Sequence, residues 1–289
     1  MISILIPCYN YPSVKLVEAL YKQCKSAKIA FEILVSEDAG YQFLRDNNKI
    51  NSIENCHYKI QKTNLGRAGN INRLINWAQF ETKLILDCDV MPKQDHFIKT
   101  YIKISKQHNA IACFGGICYQ KISDKHNLRY NYGVKREAKL AKKRQKKPFK
   151  YLLTSNILLV NINQLFDKHI KTYGYEDLVF SNQLYKKNTK VLHLDNPVYH
   201  CNLESNKTYL TKTETAIKTL IKLEKLNILN PGQTNISKLY HNLKRLYLHK
   251  VLLLLNPIIS QKAYKFLLLN GKPLWLFDLY KLFCFCKNY

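Results

Sequence analysis

The chain has 289 residues, 46% of them apolar, enough for one large α/β domain with an appendage or for two modest domains. Lys and Arg number 46 against 20 Asp and Glu, a formal charge of +26, so the expected partner is anionic. Charge alone does not choose among nucleic acid, an acidic membrane leaflet and a nucleotide diphosphate, while nine cysteines without a Cys-x-x-Cys pair exclude a zinc module and point to reduced thiols.

Residues 2–6 read as a first strand: they lack a charged leader and stop at Pro7, short of the apolar core of a signal sequence. Short apolar runs at 31–35, 83–86 and 111–114 predict further strands. Helical spacing falls between them, at 14–23, 42–50, 67–77 and 96–107, with Ser13 and Asp95 placed as N-caps. Such a βαβα series implies a mostly parallel sheet covered by helices on both faces, which binds ligands beyond the carboxyl ends of its strands. The residues at those ends are Pro7-Cys8-Tyr9-Asn10, Ser36-Glu37-Asp38-Ala39-Gly40, Asp87-Cys88-Asp89 and Gly115-Gly116. Residues 135–150 hold nine Lys or Arg against one Glu and read as a mobile loop with one or two helical turns. Strands at 155–160 and 190–194 and helices at 177–187 and 209–226 follow. Pro231-Gly232 then suggests a boundary, giving an α/β domain over 1–230 and a helical, basic segment over 231–289. No apolar run reaches the roughly 18 residues needed to span a bilayer, since 251–255 is halted by Asn256 and Pro257.

Three features carry chemistry. Asp87-Cys88-Asp89 follows an apolar strand, and residues i and i+2 of an extended segment point to one side, so the two carboxylates can share a divalent cation or divide metal and ribose between them. A polar strand end with one Asp capping the next helix would leave the same letters. Glu176-Asp177 follows Gly174 and opens an apolar helix, where the N-terminal dipole stabilises an anion; capping alone would also explain the pair. His200 stands just beyond the Asn196-Pro197 turn, as a ligand or as a structural imidazole.

In this order the residues resemble the inverting family-2 glycosyltransferases of the GT-A fold, over residues 1 to 226. The resemblance rests on Ile-Leu-Ile-Pro-Cys-Tyr-Asn at the first strand, Ser-Glu-Asp-Ala-Gly at the second, Asn64-Leu65-Gly66-Arg67-Ala68-Gly69-Asn70-Ile71-Asn72, Asp87-Cys88-Asp89, Glu176-Asp177 and His200. It implies a Rossmann-like sheet flanked by helices with a C-terminal helical, basic appendage. It also implies a hexosyl- or N-acetylhexosaminyltransferase of the bacterial polysaccharide or lipid-linked glycan type. Such an enzyme moves a sugar from a nucleotide-diphospho-sugar, expected to be a UDP-sugar, to a glycan or lipid-linked acceptor hydroxyl by metal-assisted direct displacement.

On this resemblance Pro7, Tyr9 and Asn10 line the nucleotide base, and Asp38, in preference to Glu37, accepts a base N–H. Asn64, Gly66, Arg67 and Asn72 belong to the donor-binding helix start. Asp87 meets the ribose, or the metal through water, while Asp89 and His200 hold Mn²⁺ or Mg²⁺. Asp177 is the general base, Glu176 orients the acceptor, and Gly115-Gly116 let the backbone approach the sugar. The sequence departs from the family pattern in ending its second strand Glu-Asp-Ala-Gly rather than Asp-Asp-Gly-Ser. It also has Ile71 where a cation precedes the Asn, leaving Arg67 as the substitute.

A nucleotidyltransferase on a related fold is the alternative, although a basic, Gly-rich loop after the first strand is missing. A nucleic-acid binder ranks below it, because no helix-turn-helix, zinc module or RNA-sheet signature occurs and acidic strand ends repel phosphates. In the tail, Leu243, Leu246, Tyr247 and Val251 stand with Lys244, Arg245 and Lys250 in one helix-like stretch, which suits an anionic membrane surface. Packing on the chain's own domain and a homodimer contact are the other readings. The expected location is cytoplasmic, peripheral on the membrane's cytoplasmic face.

Overall fold

The computed structural model describes residues 1–289. In chain order its main elements are β1 (Ile2–Cys8), α1 (Val14–Ala27), β2 (Phe31–Glu37), α2 (Leu44–Asn48), β3 (Cys56–Ile60), α3 (Gly66–Trp77), β4 (Thr82–Leu86), β5 (Val90–Pro92), α4 (Phe97–Gln107), β6 (Ile111–Phe114), β7 (Ile117–Cys118), α5 (Leu128–Tyr132) and α6 (Ala141–Gln145). There follow β8 (Asn156–Val160), α7 (Glu176–Lys186), β9 (Lys190–His193), β10 (Val198–His200), α8 (Asn206–Lys225), α9 (Asn235–Arg245), α10 (His249–Asn270) and α11 (Leu274–Asn288). The chain forms two compact units. The first contains Met1–Gln120, Glu137–Lys171 and Glu176–Asn202, and the second Lys121–Arg136, Thr172–Tyr175 and Leu203–Tyr289. The helix expected at 209–226 thus groups with the C-terminal helices, so the division does not follow the anticipated boundary at 230.

In the first unit, β1 and β2 are buried along their whole length, as continuous apolar runs of a covered parallel sheet should be. They belong to a seven-stranded sheet of order β3-β2-β1-β4-β8-β6-β9. All neighbours are parallel except β8, which runs antiparallel to both β4 and β6. Helix α1 buries Leu16, Val17, Leu20 and Cys24, and α4 buries Phe97, Ile98, Tyr101 and Ile102. Each set follows the helical repeat, and both join the strand side chains in one core. A small second sheet, β5-β10-β7, sets His200 opposite Val90.

Four strands have no counterpart in the sequence reading. β3 is an edge strand with the letters Cys-His-Tyr-Lys-Ile, and β5, β7 and β10 are two or three residues long, too short to show a period. Ser13 takes the N-cap position of α1 without a side-chain cap, its N–H donating to Asn47 Oδ1 at 2.8 Å, and α4 is preceded by His96 rather than Asp95. The basic segment is built rather than mobile. Arg144 of α6 is 2% exposed, its guanidinium 4.7 Å from the Phe114 ring centroid and donating to the Leu194 carbonyl at 2.6 Å. All nine cysteines are free thiols.

The second unit is helical. Leu128, Tyr209, Leu210, Ala263, Leu267, Leu274, Phe277 and Tyr280 form its core. The stretch expected as one helix is two, because Tyr247 takes a left-handed φ of 60° between α9 and α10. Nor does Pro257 end the apolar run: α10 continues through it for 22 residues, long and apolar enough to cross a membrane by length and composition.

Candidate functional site

The start of α3 is fixed by its own loop. Gly66 has φ 72°, and a Cβ there would lie 2.9 Å from the Lys171 carbonyl, so the turn requires glycine. Asn64 Oδ1 accepts the Gly66 N–H at 3.0 Å, and Asp38 Oδ1 accepts the Leu65 N–H at 2.8 Å. The next residue, Arg67, is thereby delivered to the carboxyl end of β4. Its Nε and Nη2 donate to Asp87 Oδ1 at 3.0 and 2.6 Å, and its Nη1 donates to Thr154 Oγ1 at 2.9 Å. Nη1 also lies 3.6 Å from Asp177 Oδ1 and 3.9 Å from Glu176 Oε1, at the first turn of α7. One guanidinium thus faces three carboxylates.

Thr154 completes the cluster. Its hydroxyl donates a short hydrogen bond to Asp177 Oδ1, which also accepts the Thr154 N–H at 3.2 Å. Burial pushes the Asp177 carboxyl above its ordinary range, against the downward pull of Arg67 and Thr154 and with added repulsion from Asp87. Burial by itself would weaken the Arg67 cation, but Asp87, Asp177 and Glu176 more than reverse that.

Asp87 and Asp89 diverge. The chain turns after Leu86 instead of staying extended, so the alternation expected of residues i and i+2 does not apply. Asp87 goes to Arg67, whereas Asp89 Oδ2 stands 3.6 Å from His200 Nε2. The Asp89 carbonyl accepts the Cys201 N–H at 2.8 Å, tying the turn to β10, and the Tyr119 ring stacks on His200 at 5.6 Å. No three His, Cys, Asp or Glu side chains gather as a ready metal cage. Of the expected set, Asp89 and His200 stand together, while Asp87 is held by the Arg67 guanidinium.

Several residues expected to line the nucleotide build the loops instead. Pro7 is buried within β1 opposite Ser36, and Glu37 is fully buried, its Oε1 accepting the Asn10 N–H at 2.9 Å. Asn10, at φ 52°, uses Oδ1 to accept the N–H groups of Tyr41 and Gln42 at 2.7 and 2.8 Å. Asn72 exchanges two hydrogen bonds with the Phe166 backbone and lines a separate cleft of about 640 Å³ with Lys59, Arg73 and Trp77. Gly115 and Gly116 are closely packed inside the protein. A Cβ on Gly115 would collide with the Tyr101 hydroxyl and the Asn196 carbonyl, and one on Gly116, at φ 105°, would lie 2.8 Å from Arg144. Tyr9 alone of the first-strand group presents an open side chain, 54% exposed.

Residues 3–170, more than half of the chain, match the sequence profile of glycosyl transferase family 2. The chain belongs to that family. Its fold is that of the GT-A members of known structure. S. aureus TarS 1-349 in complex with UDP superposes with a TM-score of 0.51 at 14% identity, over 100% of this chain and 88% of that one. The mannosyltransferase PcManGT from Pyrobaculum calidifontis, in complex with GDP-Man and Mn²⁺, gives 0.53 at 12% identity, over 78% and 64%. A longer S. aureus TarS chain gives 0.50 at 17% identity over 78% of this chain, which spans 40% of that chain's length. No curated protein sequence matches.

Within this family-2 chain the residue that sequence reasoning missed is Thr154. Among parallel neighbours, the residues that follow the strands share one edge. β8 is antiparallel to β4, pairing Asn156 with Leu86, so the residues preceding β8 reach the same edge as those following β4. Asp87 N–H accordingly donates to the Ser155 carbonyl at 3.2 Å. The expected outcome for Gly115→Ala is a loss of about 2 kcal/mol or more in denaturant-midpoint stability, since Tyr101 and Asn196 are both held and cannot yield. Arg67→Ala should be worse, by about 3 kcal/mol, with the loss shrinking as pH falls and the stranded carboxylates take up protons.

Proposed function

We propose that this chain transfers a sugar from a nucleotide-diphospho-sugar to an acceptor hydroxyl with inversion, Asp177 removing the acceptor's proton. The observation that carries this reading is the state of Asp177. It sits on the first turn of α7, one oxygen held by Thr154 and its basicity raised by burial, across Arg67 from Asp87. A carboxylate fixed in direction and more basic than usual is suited to accept a proton as the hydroxyl attacks the anomeric carbon. With one base and direct displacement, attack comes from the side opposite the leaving group, so an α-linked donor yields a β-linked product. Glu176, 7% exposed, lies beside it to orient the acceptor.

Asp89 and His200 suit a hard divalent cation. One carboxylate and one imidazole leave the other positions to water and diphosphate oxygens, the usual division for Mg²⁺ and Mn²⁺ bound with a phosphorylated substrate. Such an ion, when bound, neutralises charge gathering on the departing diphosphate. Arg67 fixes the direction of Asp87, leaving it placed for a ribose hydroxyl, and Tyr9 offers an open ring face to a base. A uridine donor is supported by the UDP bound to the TarS structure, and GDP-Man with Mn²⁺ in PcManGT makes guanosine the comparison to run. The acceptor is a glycan or lipid-linked hydroxyl, hexosyl or N-acetylhexosaminyl transfer being separated by the same donor panel.

Asp177→Asn should keep the donor dissociation constant in titration calorimetry while lowering turnover by about 10² to 10⁴. An active Asp177→Asn beside a dead Glu176→Gln would move the base to Glu176. The acid limb of the rate against pH should lie above the ordinary Asp range. Thr154→Val removes a hydrogen bond that holds the Asp177 pKa down, so that limb should move to higher pH. A UDP-sugar near 100 times its dissociation constant stabilises the fold by about 2.7 kcal/mol in a thermal-shift panel. This shift should need Mn²⁺ or Mg²⁺ and vanish in Asp89→Ala; a shift unchanged by chelator removes the metal assignment. Pyrophosphate release from a nucleoside triphosphate would instead indicate nucleotidyl transfer.

A further inference from the structure

Helix α10 is packed on one side only. Its buried stripe is Asn256, Ala263 and Leu267: the last two enter the core with Leu274 and Phe277, and Asn256 Nδ2 donates to the Phe283 carbonyl at 3.0 Å. On the opposite side Val251, Leu254, Ile258 and Leu269 are exposed, Leu254 and Leu269 by 79% and 74%. Residues 251, 254 and 258 recur at i, i+3 and i+7 and so share one face, which Leu269 extends three turns further on. Lys250, Lys262 and Lys265 lie along the same side, and Trp275, 66% exposed, stands just beyond the turn into α11. Between residues 225 and 277 there are eight Lys or Arg and no Asp or Glu. Aliphatic side chains gathered on one face, with lysines as the only charged residues among them, are not the scattered apolar exposure of an ordinary surface.

We propose that this face of α10 docks on an anionic lipid bilayer with the helix axis in the membrane plane. The aliphatic row enters the acyl boundary, while the lysine stems lie along it and carry their ammonium groups to headgroup phosphates. Length and composition would also permit spanning, but packing opposes it. The buried stripe follows α11, and α11 is held by the ion pair of Asp278 with Arg136 and by a Tyr280 hydroxyl bond to Glu214. A helix bound lengthwise to charged neighbours cannot enter hydrocarbon without leaving them. A second copy of the chain is a poorer occupant. A two-fold contact on this face would set its lysines against their own copies with no acid within it. The inference stands independently of the donor reading.

The test is co-sedimentation of the full chain with vesicles of phosphatidylcholine alone, or mixed with phosphatidylglycerol, at low and high salt. The expected result is binding that requires the anionic lipid, weakens with salt and falls at least about tenfold in L254Q/I258Q. K262E/K265E, which alters only exposed charge, should lose binding to the same vesicles with an unchanged melting temperature. Equal binding of wild type and both variants, or none to anionic vesicles, overturns the proposal. A dimer dispersed by L254Q/I258Q without lipid binding assigns the face to a second copy. Bound protein that resists alkaline carbonate extraction overturns the in-plane placement in favour of spanning.

Discussion

The crevice depends on the Arg67 counter-charge. Asp87, Glu176 and Asp177 arrive from two distant parts of the sequence and would repel one another at the end of a buried sheet. A guanidinium relieves this in a way an ammonium could not, because its planar fork bonds Asp87 through two nitrogens while a third reaches Thr154. The local chain is arranged to supply it. Gly66 makes the left-handed turn, Asn64 and Asp38 satisfy the N–H groups of residues 66 and 65, and the helix then begins with Arg67 at a fixed azimuth. Asp38 is itself buried and its carboxyl is pushed up by that burial, a cost partly met by the backbone N–H groups it holds.

The order of the sheet explains why a threonine joins this group. Four parallel strands, β3, β2, β1 and β4, bring their carboxyl ends to one edge, and the antiparallel β8 brings its amino end there. Asn156, the first residue of β8, then accepts the Tyr101 hydroxyl at 2.7 Å and donates to the Gly116 and Asn196 carbonyls at 2.9 and 3.0 Å. That buried network closes the edge next to Thr154 and accounts for the Gly115-Gly116 pair, whose neighbours leave no room for a side chain. Apolar periodicity shows that residues 155–160 form a strand; it carries no information about direction.

Six strands of the large sheet and the helices α1, α3, α4, α7 and α8 were legible because burial imposes a period, and Asp87 and Asp89 because they follow an apolar run. What was not legible is how polar residues near a strand end divide between ligand and chain. Asn10, Glu37, Asn64 and Asn72 read as donor contacts, yet each satisfies backbone N–H groups or the Phe166 carbonyl within the protein. Loops at a sheet edge have many unpaired backbone groups, and short polar side chains are the nearest partners for them. Letters alone therefore do not show which polar side chains such a loop uses to hold itself. The Asp-x-Asp spacing presumed an extended segment; the chain turns, and the two carboxylates part, Asp87 to Arg67 and Asp89 to His200.

Charge distribution then constrains how an anionic donor enters. The chain is strongly cationic, which raises the local concentration of phosphorylated ligands over its surface. The crevice has the opposite sign, with Asp87, Glu176 and Asp177 facing one arginine, already bonded to Asp87 and Thr154, and Asp89 standing beside His200. A diphosphate meeting that set of groups is repelled unless positive charge comes with it, and Arg67 cannot be released to supply it without exposing three carboxylates to one another. Under the proposed function, Asp89 and His200 are the groups left to hold that charge, because Asp87 has its own counter-ion. Under the same reading Arg67 lies beside Asp177 and holds Asp87 apart from the Asp89–His200 pair.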